Sequence, residues 1–403
     1  MPVHARQPTT GPQSPVTPRT GHYWQLSSFY LFYFASLGAL VPYWGLYLKS
    51  LGFSATEIGE LMAILMATKL IAPNIWGWIA DHTGRRMGII RTASLVSIVC
   101  FAGIFLGSSF QWLALVMIAF SFFWNASLPQ FEAVTLSHLG AASHRYSMIR
   151  LWGSVGFILS VVLLGRLLDS QGIGIMPLVV MGLFVAIWLS SLVTRDASGR
   201  THADESTSLR RILKRGDVLA LLVICFLMQA SHGPYYTFFT LYLEDYGYSR
   251  SVIGQLWALG VIAEIGVFLM IHRWLPRIGA WRLLFVGLQL TTLRWLLIAF
   301  FPERLGIILF AQTLHAASFG LYHAVAIHLI HQYFTGRSQG RGQALYSSLS
   351  FGAGGAVGSL AAGYLWDGVS AQSTYIAAAG MSLLAVLISY AVLRTTWREA
   401  DIT

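Results

Sequence analysis

Long apolar stretches, separated by short polar ones, run through nearly the whole chain. A window of about 19 residues, the length suited to a membrane-spanning helix, separates twelve of them. Their apolar positions are continuous and do not alternate with polar ones, which excludes a membrane β-barrel. We therefore predict an all-α integral membrane protein with twelve transmembrane helices. The apolar segments are residues 23–48, 57–80, 87–107, 110–136, 146–169, 173–194, 218–243, 251–275, 280–300, 304–333, 340–366 and 371–393.

The composition indicates the same class of protein. Only 10% of the 403 residues are charged, against about 25% in soluble domains, and the mean hydropathy is +0.63. A water-soluble surface cannot be covered with so few charges. The two cysteines, Cys100 and Cys225, both lie in apolar segments, which excludes a disulfide framework and a cysteine-based zinc site.

The polar stretches divide the chain into two halves. Residues 1–22 are rich in proline and threonine and predict a disordered cytoplasmic tail, not a signal peptide. The one long hydrophilic stretch, residues 195–217, is predicted to be a cytoplasmic central loop. It separates an N-terminal half, residues 23–194, from a C-terminal half, residues 218–393, with six apolar segments in each. Residues 394–403 are predicted to form a second cytoplasmic tail.

The basic residues indicate the orientation of the chain in the membrane. If the N-terminus is cytoplasmic, nineteen of the 26 lysines and arginines fall in cytoplasmic segments, four fall outside and three lie within apolar segments. This bias follows the positive-inside rule, so both termini are predicted to be cytoplasmic. The net charge of +10 is then a signal of topology, and we expect no nucleic-acid partner.

The two halves match each other when the sequence is shifted by 195 residues. A glycine–aromatic–serine turn followed by Ile-Gly occurs in both, and a glycine and an aspartate recur at a shift of 198. Two related six-helix halves predict a central cavity between them, the layout of alternating-access transporters. The matched residues are Gly52-Phe53-Ser54 with Gly247-Tyr248-Ser249, Ile58-Gly59 with Ile253-Gly254, and Gly165 and Asp169 with Gly363 and Asp367.

The loop after the second apolar segment contains the strongest local motif. Residues 77–86 read Gly-Trp-Ile-Ala-Asp-His-Thr-Gly-Arg-Arg, which resembles the Gly-x-Leu-Ala-Asp-Arg-x-Gly-Arg-Arg signature of the major facilitator superfamily. His82 replaces the first arginine of that signature. The resemblance implies the major facilitator fold, with two pseudo-symmetric halves, and a latch that closes the cytoplasmic side. The residues that it assigns to this gate motif are Gly77, Asp81, Gly84, Arg85 and Arg86.

Five charged residues lie well inside the apolar segments. Each costs roughly 2.5–3.5 kcal/mol at the centre of a bilayer, so each is a functional candidate that needs a partner. Residues equidistant from a short turn between antiparallel helices lie at equal depth, which predicts that Glu132 faces Arg150. The same geometry predicts a cluster of Glu264, Arg294 and His315. The five intramembrane charges are Lys69, Glu132, Arg150, Glu264 and Arg294.

These residues resemble the sugar-binding and proton-coupling set of the lactose permease, except that Ser318 stands where that permease has an acid. A broader likeness is to the bacterial 3-phenylpropionate permease branch of the superfamily and covers most of helices five to eleven. Members of that branch resemble proton-coupled permeases for small aromatic acids, so the likeness implies a symporter of this kind. The matching stretches include residues 150–155, 229–236 and 247–249, Leu256-Trp257, Ala263-Glu264, Arg294-Trp295, Leu314-His315, His323 and Tyr346-Ser347.

The candidate residues then fall into two roles. Glu264, Arg294 and His315 are the candidates for proton coupling, with Glu264 as the carrier of the proton. Tyr322 follows His315 by seven residues and is expected on the same face of its helix. The candidates for substrate binding are Lys69, Glu132, Arg150, His232, Tyr236, Tyr322 and His323.

The sequence lacks the motifs of a membrane enzyme or an ATP-driven pump. No lysine follows a glycine, as a phosphate loop requires, and no His-Glu-x-x-His zinc motif occurs. We therefore predict a monomeric secondary transporter of the bacterial inner membrane, not an enzyme, without a metal or cofactor. It is expected to import a small organic solute with a proton, driven by the proton gradient, and the solute to be an aromatic carboxylate such as 3-phenylpropionate. A sugar, oligosaccharide or nucleoside symporter is the alternative, and a non-coupled channel or receptor is an alternative of another class.

Overall fold

The computed structural model describes residues 21–196, 209–336 and 338–400. Within these ranges the chain is helical, without β-strands, and eleven helices are long and apolar enough to span a membrane. The spans are numbered α1–α12 in chain order. The eleven are α1 (His22–Ser50), α2 (Ala55–Thr83), α3 (Arg86–Phe105), α4 (Phe110–Leu139), α5 (Ala142–Gln171), α6 (Ile173–Val193), α7 (Gly216–Asp245), α8 (Arg250–Ile278), α9 (Ala280–Phe300), α10 (Leu305–Tyr333) and α12 (Ala371–Arg394).

The remaining span, α11, is built from three helical pieces in direct succession. An α-helix (Ser338–Ser347) leads into a π-helix (Ser348–Gly354) and then into a second α-helix (Gly355–Gly368). Together they cover the predicted segment 340–366. The structure thus confirms the predicted all-α membrane fold with twelve spans.

The helix ends lie within a few residues of the predicted ones, except at the C-terminus. The helix that contains α12 continues to Ala400, whereas the sequence predicted a tail from residue 394. The predicted tail 1–22 lies almost entirely outside the described residues. So does much of the central loop, whose described end contains the short helix Leu209–Leu213.

Large apolar side chains cover the outside of the bundle. Such exposure is rare on a soluble monomer, but a lipid bilayer covers these side chains favourably. The bundle therefore has the surface of a multi-pass membrane protein. Examples that are 62–79% exposed are Trp78, Val99, Leu106, Leu178 and Leu269.

Twelve spans return the chain to the side from which it started. We call this side the terminal face and the other side the opposite face. On the opposite face the predicted glycine–aromatic–serine turn occurs twice in one conformation. Gly52 and Gly247 take left-handed φ angles of 91° and 85°. Ser54 and Ser249 then cap α2 and α8, with their side-chain oxygens accepting hydrogen bonds from backbone N–H groups.

The same backbone crossings recur in both halves. In the first half, a Cβ on Gly156 of α5 would collide with the carbonyl oxygen of Leu31 of α1. In the second half, a Cβ on Gly354 of α11 would lie 2.7 Å from the carbonyl oxygen of Phe226 of α7. Leu31 and Phe226 are 195 positions apart, and Gly156 and Gly354 are 198 apart. These crossings reproduce the sequence repeat in three dimensions.

Two equivalent contacts hold the halves together at the opposite face. Asp169, at the end of α5, accepts hydrogen bonds from the backbone N–H groups of Arg250 (3.0 Å) and Ser251 (2.9 Å) at the start of α8. Asp367, at the end of α11, accepts one from the backbone N–H of Thr56 (2.7 Å) at the start of α2. Each carboxylate therefore lies at the positive end of a helix in the other half. These contacts between the halves close the opposite face.

Three helices of the second half are interrupted near the middle of the bundle. α7 is broken at His232, directly before Gly233-Pro234. α10 contains a π-helix at Ala316–Leu321, and α11 contains the one at Ser348–Gly354. Widened turns of this kind are frequent at functional sites because they redirect side chains.

The glycine crossings generate a stability prediction. Gly156→Ala and Gly354→Ala should each lower the free energy of unfolding by about 1–3 kcal/mol, because the added methyl group has no space. The matched controls are Gly182→Ala in α6 and Gly380→Ala in α12, where no atom lies within 4 Å of an added Cβ. Thermal unfolding in detergent should show lower midpoints for the first pair only. Equal midpoints for all four variants would contradict the crossing geometry.

Candidate functional site

Glu132 of α4 and Arg150 of α5 form the predicted pair inside the first half. Arg150 Nε lies 3.9 Å from Glu132 Oε1, and Tyr146 donates a hydrogen bond to the same oxygen at 3.3 Å. Both charged side chains are about one third exposed, at 32% and 34%. This contact confirms that the two residues face each other, as their equal distances from the intervening turn predicted.

The guanidinium of Arg150 rests on aromatic rings of α1. It lies 3.8 Å from the centroid of Phe34 and 5.7 Å from that of Tyr30. The 3.9 Å contact with Glu132 is longer than a hydrogen bond. The rings of Phe34 and Tyr30 thus hold the guanidinium from one side. Its N–H groups remain available to another acceptor.

Arg150 also faces the second half of the protein. Phe157 follows it by two helical turns on α5, and Trp257 precedes Glu264 by two turns on α8, so each pair shares one helix face. The rings of Phe157 and Trp257 are 6.4 Å apart across the two halves. This contact places Arg150 and Glu264 on facing surfaces at similar depth.

Glu264 contacts His315 of α10, with 3.9 Å between its Oε2 and His315 Nε2. The Glu264 side chain is 15% exposed and that of His315 7%. The Nδ1 atom of His315 is buried without a hydrogen-bond partner among the described residues. Two of the three members of the predicted cluster therefore lie together.

The third member, Arg294, corrects the predicted cluster. It is fully buried and donates hydrogen bonds to three neutral groups of α10: the carbonyl oxygen of Ala311 (3.1 Å), Gln312 Oε1 (2.9 Å) and Ser318 Oγ (3.0 Å). The rings of Tyr235 and Trp295 lie 4.2 and 4.6 Å from its guanidinium carbon. The expected ion pair with Glu264 is absent from the described residues. Equal distance from a turn predicts depth but not the direction in which a side chain points around its helix.

Lys69 of α2 has no acidic partner among the described residues. Its Nζ lies 3.5 Å from Met66 Sδ, and the side chain is partly buried. It matches Glu264 at the repeat shift of 195. An intramembrane cation without a protein partner is expected to meet water or a ligand.

The π-helix of α10 changes which of its residues share a face. His315, Phe319 and His323 stack in a row, with ring centroids 5.6 and 5.7 Å apart. Tyr322, predicted to share the face of His315, is fully buried instead, and its hydroxyl donates to the carbonyl oxygen of Cys225 on α7 at 3.3 Å. The widened turn at Ala316–Leu321 causes this difference, because ordinary helical spacing no longer applies there.

The other predicted substrate residues occupy different surroundings. His232 is fully buried, with Nδ1 2.7 Å from the carbonyl oxygen of Met228, so its ring is engaged within the second half. Tyr236 stacks with Trp257 at a centroid distance of 6.5 Å, and Trp257 shares a face of α8 with Glu264. The Nδ1 atom of His323 lies 2.8 Å from the hydroxyl of Tyr346.

Sequence reasoning missed several residues that shape the site. Trp257 could have been found from its spacing of seven residues before Glu264. Phe34 and Tyr30 gave no signal, because aromatic residues are common in membrane helices. Gln312 and Ser318 were missed as partners of Arg294, since a partner of opposite charge was sought.

The gate motif lies on the terminal face, and its hydrogen bonds and ion pair in the described part of the chain lie within the first half. Gly84 ends α2 in a left-handed conformation with φ 66°. Arg86 then pairs with Asp81 and donates to Gln130 Oε1 of α4 at 2.6 Å. Gly77 lies next to the same glutamine, and Arg85 precedes α3 with an exposed side chain.

Comparison with known proteins identifies the family of this chain. The model of the MFS_1-like family matches residues 23–377. The chain belongs to this family of major facilitator transporters. It is therefore a membrane transporter and not an enzyme.

The transporter is similar to proteins with different named substrates. It is 29% identical over 351 residues to the probable 3-phenylpropionic acid transporter of Escherichia coli strain K12, which covers 84% of this chain and 89% of that protein. It is 25% identical over 362 residues to the maltose permease of Geobacillus stearothermophilus, with coverages of 89% and 92%. The fold matches the crystal structure of a mutant of the nucleoside transporter NupG with a TM-score of 0.83, at 16% identity and coverages of 92% and 99%.

The different surroundings of the two cations generate a prediction. Arg294→Met should lower the free energy of unfolding by about 3 kcal/mol, because it strands buried acceptors that Arg294 now satisfies. Lys69→Met should leave the stability unchanged or raise it, because Lys69 has no acidic partner among the described residues that the substitution would strand. Thermal unfolding in detergent measures both. Similar losses of stability for the two variants would contradict the buried, fully hydrogen-bonded environment of Arg294.

Proposed function

We propose that this transporter imports a small aromatic carboxylate, such as 3-phenylpropionate, together with a proton. The observation that carries the proposal is the position of Arg150, which contacts Glu132 of its own half and lies on the face of α5 that meets the Glu264 face of α8 in the other half. The loose contact with Glu132 leaves N–H groups that suit a ligand carboxylate, since an arginine fork binds a carboxylate through two parallel hydrogen bonds. A ligand held there touches both halves of the protein.

The rings near Arg150 suit an aromatic ligand. Phe34 lies under the guanidinium, and Phe157, Tyr236 and Trp257 form an aromatic wall across the interface of the two halves. A phenyl ring attached to a carboxylate at Arg150 would pack against this wall in offset or edge-to-face geometry. The name of the Escherichia coli relative, a probable 3-phenylpropionic acid transporter, supports the same substrate class.

The formal charges of the site explain why a proton would accompany the substrate. The two positive charges of Lys69 and Arg150 balance the two negative charges of Glu132 and Glu264. Arg294 is left out of this sum because it donates its hydrogen bonds to neutral groups. A bound monovalent anion alone would leave the site negative, and a proton alone would leave it positive. Because an uncompensated charge in the membrane is costly, substrate and proton are most stable when bound together.

Glu264 is the acid best placed to carry this proton. It is less exposed than Glu132, and His315 at 3.9 Å offers a second proton-binding group next to it. Glu264 and Arg150 also belong to different halves. When the halves rock to open the opposite face, their separation changes, and with it the proton affinity of Glu264.

The proposal includes an orientation in the bacterial inner membrane, with a monomer whose terminal face is cytoplasmic. The excess of arginine on the terminal-face loops supports this assignment. The aspartate caps close the opposite face, so the described conformation corresponds to an inward-facing state. In the outward-facing state the terminal face would close, and the second half would approach the gate motif that contains Asp81. Asp81 would then act as the latch.

The alternative substrates are a sugar, as for the maltose permease relative, and a nucleoside, as for NupG. Proteoliposomes under an imposed pH gradient distinguish them from an aromatic acid. Labelled 3-phenylpropionate should accumulate above the level in protein-free vesicles, while maltose and uridine should not. Accumulation of maltose or uridine instead would replace the proposed substrate, and uptake that only equilibrates would indicate a channel.

The proton role of Glu264 has a separate test. Glu264→Gln fixes the neutral form, so the variant should retain exchange of labelled for unlabelled substrate yet lose accumulation driven by the pH gradient. Glu132→Gln is the matched control and should impair binding itself, because it removes the partner of Arg150. If the Glu264→Gln protein still accumulates substrate against its gradient, the proton site lies elsewhere.

A further inference from the structure

A second cleft lies away from the candidate substrate site, on the terminal face of the second half. It has a volume of about 520 Å³ and lies between the terminal-face ends of α8, α9 and α10. One part of its wall is apolar and another part is polar. The residues that characterise it are Leu275, Pro276, Trp281, His328, Leu329 and Gln332.

The cleft is not part of the transport path. His328 and Gln332 follow His323 on α10 by five and nine residues. At about 100° per residue, these positions lie roughly 140° and 180° around the helix from His323. Since His323 belongs to the aromatic row that begins at His315, the cleft opens on the other side of α10, towards the membrane.

The end of α8 beside the cleft is basic and lacks the acid that stands at the matching position in the first half. At the repeat shift of 195, Pro276 takes the place of Asp81. Arg86 has an acidic partner in the first half, but Arg273 and Arg277 are exposed and have none among the described residues. These two arginines flank the cleft residues Leu275 and Pro276 in sequence.

A second basic segment borders the same cleft. The guanidinium carbon of Arg215, just before α7, lies 5.0 Å from the ring centroid of Tyr333, which lines the cleft. Arg215 is neutralised by Asp217 at 2.8 Å, but Lys214 beside it is exposed. Cations therefore approach the cleft from two parts of the chain, and its occupant is expected to be anionic at one end and apolar at the other.

We propose that this cleft binds an anionic phospholipid, with the phosphate held by Arg273 and Arg277 and an acyl chain along Leu275, Pro276 and Leu329. The position at the terminal-face ends of three spans, the apolar wall and the two arginines without an acidic partner among the described residues match the two ends of such a lipid. Arginine side chains at the end of a transmembrane helix reach naturally to the depth of the phosphates. No acid stands at position 276 to pair with either arginine.

Native mass spectrometry of the delipidated full chain in detergent tests the site. The probes are dioleoylphosphatidylglycerol, dioleoylphosphatidylcholine and inorganic phosphate. One phosphatidylglycerol should bind saturably, and the double variant Arg273→Gln/Arg277→Gln should bind it about thirtyfold more weakly. The matched control, Arg145→Gln/Arg195→Gln, removes two exposed terminal-face arginines of the first half and should bind like the parent.

Three outcomes would overturn the proposal. Equal binding of the two lipids would show that the headgroup charge is not recognised. If phosphatidylglycerol binding were weakened equally in the control variant, the lipid would be attracted to basic surfaces in general and not to this cleft. Binding of inorganic phosphate as tight as that of the lipid would show an anion site without a lipid. Substrate uptake by each variant confirms that it is folded, because none of these arginines belongs to the proposed transport site.

Discussion

A charged side chain inside a bilayer must be compensated, and this constraint determines the interior of the protein. The chain meets it in two different ways. Arg294 is compensated by neutral oxygens of α10 and by two aromatic rings, an arrangement that is complete without a ligand. Arg150 is compensated loosely, by an acid at 3.9 Å in its own half and by the face of the Phe34 ring. The first arrangement stabilises the fold, and the second leaves an arginine for the substrate anion that we propose.

The contacts within and between the two halves bear on the proposed coupling. Backbone crossings at Gly156 and Gly354 join the helices tightly within each half. The halves also cross closely, since a Cβ on Gly254 of α8 would lie 2.2 Å from the carbonyl oxygen of Val161 of α5. Between the halves, the contacts at the opposite face include hydrogen bonds from backbone N–H groups at the starts of α8 and α2 to the carboxylates of Asp169 and Asp367. An ion pair between Lys49 and Asp245 joins the halves as well. In the proposed mechanism, a motion of one half against the other alters the environment of Arg150 and Glu264. Such a change is what the proposed coupling of a proton to a solute requires.

Much of the fold was predictable from the sequence, because the membrane imposes helix length and apolar composition. The repeat was visible in a few residues, such as the Gly52 and Gly247 turns, since both need a left-handed glycine. The Glu132–Arg150 pair was predictable because a short turn fixes relative depth. The surroundings of Arg294 and Tyr322 were not, because depth does not determine direction and because the π-helix at Ala316–Leu321 shifts the helix face. Apolar patterns give no signal for such a widened turn.

The central claim is that one arginine between two acids joins the movement of a solute anion to that of a proton. It is tested most directly by substrate-evoked proton uptake in proteoliposomes that contain a pH-sensitive dye, without an imposed gradient. Adding 3-phenylpropionate should acidify the interior faster with the parent protein than with Arg150→Lys protein or in protein-free vesicles, because an ammonium group does not reproduce the two-pronged contact. Equal rates for the parent and Arg150→Lys proteins, or substrate uptake by the parent without proton uptake, would contradict the account.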